Sequence, residues 1–264
     1  MFIWQWVQEH RLLSILILAF VILSSAGGTA WALVFRTVSS PVGLREALRI
    51  YRREQSEKAL ATLRNHLPAP GVYTYRTAGD EGLSLMGVSR SFPSSTNMIV
   101  TDARCATVSW VPLLEHTETT TVCTGTAGSL TVPRLVTTES IASTDTTSTV
   151  ECPSTAYLLP PVARPGERWS VTCSLKSPAE EVGLAGEVLD PSTIDVAGKT
   201  VMVEHTRLML TFKGGESGNN PTDFWIVPST GLIVQEKEEV GVTSGGVSYS
   251  ENMVAMLTKL TPAR

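Results

Sequence analysis

The chain has 264 residues, 42% of them apolar, and a formal net charge of −4. That length suits one sizeable domain plus an accessory segment, and the apolar fraction is ordinary for a globular protein. Residues 1–66 hold 8 Lys/Arg and 4 Asp/Glu, which leaves 13 basic and 21 acidic residues beyond them; a remainder at −8 argues against nucleic acid as a partner.

After a tail over residues 1–11, the run "LLSILILAFVILSSAGGTAWALVF" from Leu12 to Phe35 contains no charged residue. At about 1.5 Å per residue it exceeds the roughly 30 Å hydrocarbon core, so one transmembrane helix is predicted over residues 12–35, with the membrane as partner. The competing reading is a cleaved signal peptide, for which Ser24, Ser25, Ala26, Gly27, Gly28 and Ala30 offer small residues. The run is longer than a typical signal core, and the tail carries only Arg11. The first cysteine is Cys105, so the run ends without a lipidation site.

Residues 36–69 form a juxtamembrane segment. Leu44, Leu48, Tyr51, Leu60 and Leu63 recur at roughly helical spacing, while Arg45, Arg49, Arg52, Arg53 and Glu54 fill other positions. A helix is predicted from about Gly43 to His66, ended by Pro68 and Pro70. It serves either as a stalk or packed helix, or as a basic face for anionic lipid headgroups.

From residue 70 to residue 264 the pattern changes to short β-branched and aromatic runs, such as "GVYTYRTA", "CATVSW", "RWSVTCSL" and "KTVMVEHTRLMLTF". Turn residues separate many of them, and Ala78 to Gly82, "AGDEG", reads as one such turn. The expected fold class is mainly β, a curved antiparallel sheet forming a half-barrel or sandwich. Between Thr117 and Thr149 lie 13 Thr and 4 Ser, read as an exposed strand face rather than a glycosylated stalk.

Two rules conflict over membrane sidedness. Arg36, Arg45, Arg49, Arg52 and Arg53 follow the apolar run and Arg11 precedes it, which favours an internal β domain. The cysteines favour the outside. Cys105 and Cys123 flank a hairpin centred near Leu114 and so fall opposite each other, and Cys152 and Cys173 repeat the arrangement around "PPVARPGE". Two such pairs predict disulfides and an extracytoplasmic β domain. Zinc is the competing reading, but no C-x-x-C pair occurs; unpaired buried thiols are the other. No metal and no cofactor is expected.

No nucleophile elbow, phosphate-binding glycine loop or H-E-x-x-H motif is present. His10, His66, His116 and His205 are scattered, and His205 shares a strand face with Arg207. Glu180 and Glu181 read as loop residues, and "EKEE", Glu236 to Glu239, reads as a solvated strand end. No catalytic residue is assigned, and a non-enzymatic role is expected.

Apolar residues occupy both faces of "FWIVPSTGLIVQEKE", "TRLMLTF" and "ENMVAMLTKL". Either a second layer of protein covers them or they wall a cavity for a lipid or other amphiphile. Candidate wall residues are Trp169, Leu208, Leu210, Phe212, Phe224, Trp225, Ile226, Leu232, Met253 and Met256. The aromatic strand followed by P-x-T-G-L and a second strand resembles a hairpin of envelope proteins with the LolA/LolB-like half-barrel. That resemblance implies a curved sheet wrapped around helices and an acyl-chain cavity. With "GVYTYRTAGDEGLSLMG" and "RWSVTCSL", the span from about 70 to 264 also resembles an uncharacterised family of membrane-anchored envelope proteins in high-GC Gram-positive bacteria, which implies no activity. The expected role is therefore a single-pass protein of the cytoplasmic membrane that binds a lipid or amphiphile outside the cytoplasm. The alternative is an interaction module for another envelope protein, with an ordinary packed core.

Overall fold

A computed structural model of the chain describes residues 39–57, 66–84, 87–101, 105–141, 144–176 and 179–264. The predicted transmembrane segment 12–35 lies outside the described residues, as do the tail and residues 58–65 of the predicted helix. Among the described residues no helix is long and apolar enough to cross a membrane.

Among the described residues, fourteen strands follow one α-helix, α1 (Leu44–Glu57). They are β1 (Gly71–Leu83), β2 (Val88–Ser91), β3 (Ser95–Thr101), β4 (Ala106–Leu113), β5 (His116–Thr124), β6 (Leu130–Ile141) and β7 (Thr144–Glu151). Then come β8 (Tyr157–Leu159), β9 (Arg168–Lys176), β10 (Ala179–Val196), β11 (Lys199–Lys213), β12 (Glu216–Val227), β13 (Leu232–Ser244) and β14 (Val247–Leu257). All pairings are antiparallel. The expected half-barrel or sandwich is corrected to a closed barrel of 12 strands, because β1 pairs β14 from Tyr75↔Leu257 to Leu83↔Tyr249 and so joins the first strand to the last. The short β2 and β8 sit off this ring, on β1 and β6.

Closure changes where the helix goes. A half-barrel wraps its helices, whereas α1 lies on the outer wall. Ala47 is 0% exposed and packs with Val42, Val72, Ile99 and Val111, with Leu48 and Tyr51 alongside. Arg45, Arg49, Arg52 and Arg53 remain exposed on the opposite side. The segment before α1 is tied to the wall by Val42 N–H donating to the Pro112 carbonyl at 3.1 Å and Asn97 Nδ2 donating to the Val42 carbonyl at 2.8 Å.

Alternation along each strand assigns the faces. In β1, Val72 points out beneath α1, and Tyr73, Tyr75 and Thr77 point in. Tyr73, Tyr75, Met98, Trp110, Leu130, Val132, Val234 and Met253 belong to one buried apolar cluster. Tyr75 reaches across it to donate its hydroxyl hydrogen to the Ile233 carbonyl at 2.5 Å. In the turn before β13, Gly231 adopts φ +62 and its N–H donates to the Val227 carbonyl at 2.8 Å, a conformation disfavoured for residues with a Cβ.

Both disulfides form, Cys105–Cys123 and Cys152–Cys173. The first extends the ladder past Ala106↔Val122, as a hairpin centred on Leu114 requires. The second is not a hairpin bond as expected, since β8 intervenes. Instead it continues the β7–β9 ladder, which registers only Val150↔Leu175 and Glu151↔Ser174 and is the shortest ladder in the ring. The Thr-rich stretch supplies β5 to β7, with Thr138 and Thr147 paired on an exposed face and Thr120 and Thr137 facing the interior.

Candidate functional site

Beyond the apolar cluster the barrel interior holds a cavity of about 490 Å³ that opens partly to solvent, within the range of ligand pockets. The strands that build the core continue past it. The inward phase of β13 reads Leu232, Val234, Glu236, Glu238, Val240, Val242, and that of β14, taken backwards, reads Leu257, Ala255, Met253, Glu251, Tyr249. Side-chain chemistry then divides the ring into two arcs. Val150, Leu184, Leu208, Leu210, Phe212 and Phe224 come from β7, β10, β11 and β12. Glu118, Glu139, Glu236, Glu238 and Glu251 come from β5, β6, β13 and β14. The division is incomplete: Glu216, Asn220 and Thr222 of β12 are polar on the apolar side, and Leu135, Val240 and Val242 are apolar on the acidic side.

Behind the acidic arc lies a buried charge network. Glu81 is 0% exposed; its Oε1 accepts from Arg90 Nε at 2.6 Å and its Oε2 lies 2.8 Å from His116 Nδ1. Arg90, on β2, also donates to the Ser140 carbonyl at 3.1 Å and so ties β2 to β6. His116 Nε2 lies 3.2 Å from Glu118 Oε1. Burial opposes a charge on His116, but the hydrogen bonds to Glu118 and Glu81 win and hold the ring well above the usual histidine range. Both ring nitrogens therefore donate. Burial likewise opposes the Glu81 charge, and His116 and Arg90 overcome it, lowering its pKa. Phe92 and Trp110 meet His116 edge-on, at 5.7 and 5.4 Å between centroids, and separate this network from the apolar cluster to which they belong.

At the cavity carboxylates other than Glu118, burial wins. Burial pushes Glu236 up to about 8, with Glu118 adding to it, and burial pushes Glu139 up to about 7. Glu238 and Glu251 rise well above the carboxylate range, through burial first and then repulsion from Glu118. Glu238 Oε1 accepts from Asn220 Nδ2 at 2.7 Å. The Tyr249 hydroxyl lies 2.7 Å from Glu251 Oε2 and 2.8 Å from Glu81 Oε2, with one proton to serve either. Glu251 Oε1 has no hydrogen-bond partner although the side chain is buried. One oxygen each of Glu118, Glu238 and Glu251 lie within 4.8 Å of one another, an all-oxygen set able to hold a hard cation; Glu81, His116, Glu139 and Glu251 form a second group of the same span.

Of the ten wall residues expected from sequence, Leu208, Leu210, Phe212 and Phe224 line the cavity. Ile226, Leu232 and Met253 sit in the closed core, at 0%, 6% and 1% exposure. Trp169 lies across Gly186, where a Cβ would come within 2.1 Å of its ring, and packs on the core cluster. Trp225 stacks on His205 at 4.1 Å; alternation turns it away from Phe224 and out of the cavity. Met256 also points outward, because Ala255 and Leu257 hold the inward positions, and its sulfur meets Arg76. His205 does share its face with Arg207, and both bind Asp223.

Three readings of polar residues are corrected. Glu236 and Glu238 are interior rather than a solvated strand end. Glu81 lies within β1 rather than in a turn. Glu180 and Glu181 lie in β10 rather than a loop. The signal was present for β13: Glu236 and Glu238 share the phase of Val234 and Val240, so a strand with that face inward must bury them.

The class these features define is a closed antiparallel β-barrel with a partly acidic internal cavity. No protein-family model matches the chain, and no curated protein matches it. Among solved structures it is similar to the hypothetical lipoprotein YmcC from Escherichia coli (K12), at 14% identity and TM-score 0.36, over 85% of this chain and 99% of that one. A candidate lipoprotein from Parabacteroides distasonis ATCC 8503 is similar at 12% identity and TM-score 0.30, over 75% and 99%. Likenesses this distant carry no argument about the role of the chain.

Proposed function

We propose that the chain is a non-enzymatic envelope protein that holds an amphiphile inside its barrel, outside the cytoplasm. The observation that carries this reading is the cavity itself. Leu208, Leu210, Phe212 and Phe224 provide an apolar surface for a hydrocarbon chain, and a polar arc for its head faces them across the ring. The two disulfides favour an oxidising compartment, and the apolar run 12–35 would tether the barrel to the membrane. Among the described residues the exposed large apolar side chains, Leu44, Leu114, Val162, Met202, Met209 and Val254, are spread over α1, the β4–β5 turn, the β8–β9 loop, β11 and β14, which favours an internal ligand over an external docking patch.

The test is to express the full chain into an oxidising compartment, purify it and analyse its organic extract by mass spectrometry. A hydrocarbon-chain species in near-stoichiometric amount is the expected result. Protein that yields none, and that also fails to take up a fluorescent apolar probe, would contradict the proposal.

A further inference from the structure

We propose that the ligand head is cationic: the cavity takes an amphiphile whose primary ammonium group sits among Glu118, Glu238 and Glu251, with its chain along Leu208, Leu210 and Phe212. This rests on the amphiphile reading above and adds the charge and donor pattern of the head.

Five carboxylates line the acidic arc. The cations beside them are already engaged, Arg90 with Glu81 and His116 with both Glu81 and Glu118. Buried carboxyls ionise readily only beside a counter-charge, so this wall favours an incoming cation, beside which they can release their protons, over a carboxylate or phosphate head. Glu251 gives the more specific sign. Its side chain is 4% exposed and lines the cavity, yet Oε1 meets no donor. An orphaned buried acceptor on a residue of the cavity wall is a place for a donor, which a small turn of the Glu251 carboxylate would admit. An ammonium group supplies three N–H donors and a charge, and the three carboxylates offer one oxygen each within 4.8 Å of one another. An alcohol head offers one donor and no charge. A divalent cation would satisfy the same oxygens but would leave the apolar arc facing nothing, so the two arcs together favour an organic cation.

The test uses the full-length protein, freed of extractable material, titrated by calorimetry with decylammonium, decan-1-ol and decanoate below their aggregation concentrations. Charge-assisted hydrogen bonds predict that decylammonium binds about tenfold or more tightly than decan-1-ol, with decanoate weakest. Glu251→Gln and Glu238→Gln should each weaken decylammonium about tenfold while leaving decan-1-ol unchanged, with thermal unfolding confirming that both variants fold. Equal binding of the amine and the alcohol, insensitive to Glu251→Gln, would overturn the cationic head while the amphiphile reading stands. Failure of all three to bind would overturn both. Tight binding of Ca²⁺ or Mn²⁺ alone, undisturbed by decylammonium, would overturn the organic cation in favour of a metal site.

Discussion

The two ends of the barrel interior share one backbone alternation and put it to opposite uses. Along β13 the inward positions change from Leu232 and Val234 to Glu236 and Glu238, where the β12–β13 ladder shifts register between Ile226↔Ile233 and Trp225↔Gln235, and along β14 from Met253 to Glu251, where the ladders to β13 and β1 run unbroken. The apolar end is filled by side chains that stabilise the fold. The acidic end leaves about 490 Å³ open and gathers carboxylates whose burial opposes folding. A protein needing only stability would carry apolar residues at these positions too; a retained cost at one end of a well-packed barrel points to use.

Within the acidic end, the sharpest contrast is between paired and unpaired carboxylates. Glu81→Gln weakens the attachments of Arg90 and His116, and is expected to destabilise the protein by about 3–5 kcal/mol in denaturant unfolding. Glu81→Gln unfolding at the wild-type midpoint would show the network to be unimportant. Between the two ends, Leu130→Ala, at a 0% exposed core site, should cost about 2–5 kcal/mol, and Leu210→Ala, which already borders open space, about half that or less. Equal costs would mean the cavity is filled in solution. Replacing Cys152 and Cys173 together by Ala should cost about 2–4 kcal/mol, because that bond supports a seam of two registered pairs. The Cys105–Cys123 pair, beside a longer ladder, should matter less. Glu238→Gln should raise the stability of the ligand-free protein by about 1–2 kcal/mol toward alkaline pH, where burial and repulsion from Glu118, Glu251 and Glu236 oppose ionisation of the carboxyl, and by less near pH 6.

The last expected effect is a pH slope. Glu139 is pushed up to about 7 and Glu236 to about 8, so between the ordinary carboxylate range and pH 8 the folded chain holds protons that the unfolded chain has released. Stability is then highest below about pH 4.5, from these groups alone, and falls as pH rises through 7 to 8. Glu238, Glu251 and His116, all raised, act in the same direction, whereas the lowered Glu81 loses stability only toward acid. The melting temperature of the ligand-free protein should fall by a few degrees between pH 5.5 and 8. A flat or rising profile would place these carboxylates in solvent.

Much of this architecture was legible in the residues. Strand-like runs with turn punctuation gave an antiparallel β domain, and the symmetric spacing of Cys105 and Cys123 gave a cross-strand bond. Closure was not legible, because pairing of β1 with β14 joins segments more than 150 residues apart and leaves no local mark. The cavity was legible by half. Apolar type identified Leu208, Leu210, Phe212 and Phe224, but the same criterion also selected Trp225 and Met256, since type without phase does not say which way a strand residue points. Glu236 and Glu238 were misread for the converse reason: their charge outweighed a phase that already placed them inside.

The most direct test of the central claim is a crystal structure of the full-length protein grown with decylammonium. The account predicts continuous density along Leu208, Leu210 and Phe212, ending in a nitrogen within hydrogen-bond distance of Glu251 and Glu238. A barrel interior closed by its own side chains, with Glu236, Glu238 and Glu251 turned to solvent, would contradict it.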